Sequence, residues 1–123
     1  MGRRARRRAS GIPFRADDAT YSSPEHGELV LRGALTPRTR REYARLRNPA
    51  SARAAATTED VWARSNEFLF ERLAVRWTVQ DVPWEGQKDL LARYRAASPP
   101  ERRWLRDTIA GHLESHFPDV EAP

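Results

Sequence analysis

His112 and His116 stand four residues apart in His-Leu-Glu-Ser-His, a spacing that puts two imidazoles on one helical face where they could ligate zinc. The zinc-protease pattern needs a glutamate directly after the first histidine, and Leu113 occupies that place. No third ligand stands nearby. A protonated histidine near a helix C-terminus interacts favourably with the helix dipole, which accounts for the pair without a metal. The acid pairs Asp17-Asp18 and Glu59-Asp60 could serve acid–base chemistry, but loop solvation and helix-start preference explain them better. The sequence contains no evident nucleophile–base pair and no glycine-rich phosphate loop. It implies no catalytic residue, no metal and no cofactor, and points away from an enzyme. The chain has no cysteine, which excludes disulfides and thiolate metal sites.

Binding chemistry is better represented. Arg3, Arg4, Arg6, Arg7 and Arg8 fall within the first eight residues and match the formal net charge of +5. Outside that octet, 17 basic side chains balance 17 acidic ones, so the chain reads as a neutral body with a cationic arm. Five arginines could engage up to about five phosphates of DNA or RNA, with strong salt dependence and no sequence preference. They could equally dock on an acidic protein surface or simply solubilise the chain. Lys88 is the one lysine, and the arginine and alanine bias resembles the product of a high-GC genome.

Trp62, Trp77, Trp84 and Trp104 are many tryptophans for 123 residues. Tryptophan is enriched at interface hot spots, although core packing is its commoner use. Trp84, between Pro83 and Glu85, is the one expected at the surface.

These residues need elements to position them. Residues 1–26 read as a flexible arginine-rich arm, with too little apolar surface to offset ordering entropy. Residues 27–123 read as a single small helical domain. Within it, Glu28-Leu29-Val30-Leu31-Arg32, flanked by Gly27 and Gly33, predicts a short strand. Its best internal partner is Val75-Arg76-Trp77-Thr78-Val79, and a neighbouring chain is the alternative. Thr36-Pro37 predicts a helix start, with threonine as N-cap and proline at N1. That helix should end before Asn48-Pro49, followed by an alanine-rich linker at about 48–57. A second helix begins near Thr57, with Trp62, Leu69 and Leu73 on one stripe. A third covers roughly Trp84 to Ala97. Ser98-Pro99-Pro100-Glu101 is a capping box opening a fourth, which Pro118 stops. The expected fold is therefore mainly α: a bundle of about four helices, one short strand or strand pair, and a disordered basic arm. No apolar run approaches the roughly 18 residues that span a bilayer, and no signal peptide fits. A cytoplasmic protein is the default expectation.

Two stretches resemble the small tail-assembly chaperones of tailed phages and phage-like particles. One is Gly27-Glu28-Leu29-Val30-Leu31-Arg32 followed by Leu35-Thr36-Pro37-Arg38 and a helix ending Glu42-Tyr43. The other runs from Leu73-Ala74-Val75-Arg76-Trp77 through Leu90-Leu91 to Glu101-Arg102-Arg103-Trp104-Leu105-Arg106-Asp107-Thr108-Ile109. The likeness is one of pattern and size, with no signature motif, and it leaves out the arm. It implies a mostly helical, non-enzymatic adaptor that binds a long helical tape-measure or tube protein. Its working residues would be exposed apolar groups: Phe68, Phe70, Trp84 and Trp104. The alternative function is a small nucleic-acid-associated protein working through Arg3, Arg4, Arg6, Arg7 and Arg8.

Overall fold

Strand β1 (Ala19–Ser23) is the first element in a computed structural model that describes residues 17–48 and 58–123. It is followed by β2 (Gly27–Leu31), α1 (Pro37–Arg47), α2 (Thr58–Leu73), β3 (Ala74–Val79), β4 (Val82–Glu85), α3 (Gln87–Arg95) and α4 (Pro99–His116). The four strands form one antiparallel sheet in the order β1-β2-β3-β4. The chain is thus a small α+β fold, which corrects the expected mainly α bundle with one strand pair.

Two strands escape the sequence reading for physical reasons. β1 is Ala-Thr-Tyr-Ser-Ser, with Tyr21 as its one large apolar-bodied side chain, so composition assigns it to the arm. Its antiparallel pairing with β2 brings residues 19–23 into the body. β4 contains Pro83, which suits an edge strand but weakens the β signal. It is joined to β3 by Gln80-Asp81, both at positive φ (51° and 67°), as a two-residue hairpin turn demands. Such turns usually announce themselves by Asn-Gly or Asp-Gly, and neither is present. The third helix consequently begins at Gln87 rather than Trp84.

The expected pairing of β2 with the Val75–Val79 segment is present, and it lies within the chain. Its register puts Tyr21 opposite Leu29, Leu29 opposite Trp77 and Trp77 opposite Trp84. This row belongs to the sheet face that carries the core, because alternate residues share a face. Leu29, Leu31, Leu69, Phe70, Leu73, Trp77 and Leu105 are completely buried there, with Ile109, Leu113 and Phe117 beside them. The opposite face, with Ser22, Glu28, Arg76 and Glu85, is polar, and Arg76 pairs with Glu85 at 3.4 Å across β3 and β4. Gly27 sits at φ 90°, and a Cβ there would lie 1.9 Å from the Thr78 carbonyl oxygen, so only glycine lets β2 approach β3 this closely.

The caps read from the sequence are in place. The Thr36 hydroxyl accepts from the Thr39 N–H at 3.1 Å, with Pro37 following at N1. Ser98 and Glu101 make the reciprocal capping box that starts α4. The second oxygen of Glu101 accepts from Arg93 at 2.7 Å. Burial pushes the Glu101 carboxyl up, but Arg93 and the Ser98 backbone outweigh it and hold the group below its ordinary value. Arg93 also lies over the Trp77 ring at 4.6 Å, so one guanidinium ties α3, α4 and the sheet together. Beyond α4, residues 117–123 fold back on α1: the Tyr43 hydroxyl donates to the Glu121 carbonyl and Arg40 pairs with Asp119. Among the described residues, no helix is long and apolar enough to cross a membrane.

Candidate binding groove between α2 and α4

The two flanks of α4 use their polar groups differently. On the inner flank His112 is fully buried. Its Nε2 lies 2.7 Å from the Arg32 carbonyl oxygen and its Nδ1 2.7 Å from the Tyr21 hydroxyl. A carbonyl can only accept, so Nε2 carries the hydrogen and Nδ1 accepts from Tyr21. Burial is the main cause that lowers the pKa of His112 and keeps it neutral, and the neighbouring His116 adds to the effect. The His116 ring stacks on His112 at 4.3 Å. Both nitrogens of His112 are therefore committed inside the protein, and the histidine pair forms a packed cluster instead of a pair of metal ligands. Among the described residues, no group of three metal-ligating side chains converges.

The outer flank is open. Trp62, Ala63, Arg64, Asn66 and Glu67 of α2, Tyr94 of α3, and Arg102 and Arg106 of α4 line a groove of about 200 Å³. Trp62 is 38% exposed on its rim, more than any other aromatic side chain described. The Arg106 guanidinium lies over the Trp62 ring at 4.9 Å, and that of Arg102 over Tyr94 at 5.4 Å. Arg102 also donates to the Arg95 carbonyl oxygen at 2.8 Å. Tyr94 packs on Phe70 with ring centroids 4.8 Å apart, and burial raises its phenol pKa. The arginines are thus held by ring faces, while Arg64, Arg102 and Arg106 have no carboxylate partner among the described residues. The one acidic lining residue, Glu67, is engaged by Arg95 at 2.6 Å.

The four residues expected to bind a partner are dispersed. Phe70 is completely buried under Trp77 and Tyr94, so it is a core residue and not an exposed contact. Phe68 is half-buried between Tyr43, at 6.2 Å, and the Arg72 guanidinium, at 4.9 Å. Trp84 is half-buried opposite Trp77, not exposed as expected. Trp104 is half-buried beside His26 at 5.7 Å. The expected nucleic-acid contacts, Arg3, Arg4, Arg6, Arg7 and Arg8, lie outside the described residues.

Sequence reasoning missed the groove because Trp62 falls on the same helical stripe as Leu69 and Leu73 and looks like core. The buried part of that stripe begins at Ser65, and Trp62 lies one turn beyond it. Arg102 and Arg106 carried one usable signal, their i,i+4 spacing on the flank of α4 away from His112. No protein-family model, curated protein or solved structure matches the chain, so the site is read from its own geometry.

Proposed function

We propose that this protein is a non-enzymatic adaptor that binds a protein partner through the groove between α2 and α4. The observation that carries the reading is the exposed Trp62 set among arginines with no carboxylate partner among the described residues. An exposed tryptophan flanked by arginine is the composition of an interface hot spot. The groove is smaller than the roughly 300–1,000 Å³ of typical small-molecule sites, and suits one or two protruding side chains of a larger partner. His112, half of the one histidine pair with metal-ligand spacing in the sequence, is occupied by internal hydrogen bonds, which favours a structural role for it.

The sharper reading, a tail-assembly chaperone for a tape-measure-type protein, rests on the pattern of residues 27–113 alone. It implies a mostly helical body, and the four-stranded sheet departs from that. The nucleic-acid alternative rests on Arg3, Arg4, Arg6, Arg7 and Arg8.

A pull-down from the native host with the full chain, with and without nuclease, tests the reading. Protein partners that survive nuclease and are lost with Trp62→Ala are the expected result. Partners that disappear with nuclease, or that ignore Trp62→Ala, would overturn it.

A further inference from the structure

We infer that the α2–α4 groove receives an acidic segment of its partner, with two carboxylates about 6 Å apart seated on Arg102 and Arg106 and an apolar side chain against Trp62. The inference rests on the adaptor reading and specifies its ligand chemistry.

Arg102 and Arg106 are separated by one helical turn of α4, about 6 Å along the axis. Carboxylates four residues apart on a partner helix have the same spacing. Each guanidinium already has an aromatic ring against it, and Arg102 is further fixed by its bond to the Arg95 carbonyl oxygen. A guanidinium held in this way gives up little entropy when it forks onto a carboxylate. Arg64 on the α2 wall adds a third positive charge. Charge complementarity therefore selects an anion.

One observation favours a short acidic peptide over a nucleic-acid strand. Tyr94 packs on Phe70 and carries Arg102 over its ring, and Trp62 carries Arg106, so the groove offers no run of open rings on which successive bases could stack.

Fluorescence anisotropy of the full chain tests the assignment with three labelled probes. These are a helical peptide with glutamates at i,i+4 beside leucines, the same peptide with glutamine for glutamate, and a single-stranded oligothymidylate. The glutamate peptide should bind more tightly than the glutamine peptide. Charge reversal by Arg102→Glu with Arg106→Glu should weaken it about tenfold or more, as loss of charge-assisted hydrogen bonds implies. Arg64→Glu alters an exposed residue with no carboxylate partner among the described residues, and should weaken binding in the same direction with the circular dichroism spectrum unchanged. Equal binding of the two peptides, or indifference to both sets of reversals, would overturn the inference. Tighter binding of the oligothymidylate, lost on the same reversals, would replace the peptide with a nucleic acid and overturn the adaptor reading too. A photocrosslinker at Ala63, an exposed residue of the groove wall, separates the two failures. Capture of a protein whose binding survives Arg102→Glu with Arg106→Glu would sink the acidic-segment inference and leave the adaptor reading standing.

Discussion

The inner and outer flanks of α4 are built from similar materials and end in opposite states. Each sets cationic or potentially cationic side chains against aromatic rings. On the inner flank, Tyr21, His112 and the Arg32 carbonyl satisfy one another, and the result is a closed joint between β1, the end of β2 and α4. On the outer flank, Arg102 and Arg106 rest on Tyr94 and Trp62 and have no carboxylate partner among the described residues. The residues that look most like chemistry in the sequence are the closed ones. Spacing alone did not distinguish them, because a buried histidine with two partners and a metal-ligating histidine share the same i,i+4 signature.

The contrast can be broken or sharpened by measurement. His112→Ala should have the largest effect, about 2–4 kcal/mol of stability by urea unfolding. It opens a cavity and leaves the Tyr21 hydroxyl and the Arg32 carbonyl without their partner. Acid should act next, since the side chain remains but its protonation changes. The pKa of His112 is lowered in the folded state, so the unfolded chain takes up its proton first. Stability from this group is complete above the ordinary histidine value of 6.5 and is lost as pH falls from there through the folded value. Urea midpoints across that window should show the loss, and His112→Leu should flatten it. Tyr21→Phe removes one hydrogen bond and should cost about 1 kcal/mol by the same measurement. Arg106→Ala, on the outer flank, should move stability by no more than about 0.5 kcal/mol while weakening partner capture. A destabilisation by Arg106→Ala comparable to that by His112→Ala would erase the distinction between the flanks.

Elements with strong local chemistry were legible in the sequence. Thr36-Pro37 and Ser98-Pro99-Pro100-Glu101 mark helix starts because they satisfy the first backbone N–H groups within a few residues. The pairing of β2 with β3 was legible because Leu29, Leu31 and Trp77 alternate in a way that one buried face explains. β1 and β4 depend on contacts distant in sequence. Tyr21 becomes a strand residue only by lying beside Leu29 and reaching His112, which is 91 positions away. The groove was illegible for a related reason. Whether Trp62 is core or surface depends on where α3 and α4 end relative to α2, and no periodicity within α2 encodes that.

Helix α2 ends at Leu73 and β3 begins at Ala74, with no residue between them. The Leu73 carbonyl also accepts from the Arg32 N–H at 2.8 Å, which fastens this junction to the end of β2. Trp62 lies eleven residues up that helix, about 16 Å from the joint. The helix is therefore a stiff lever welded to the middle of the sheet, and a load applied at Trp62 has no hinge in which to dissipate. Engagement of the groove should register as slowed amide exchange in β2 and β3, far from any contact with the partner.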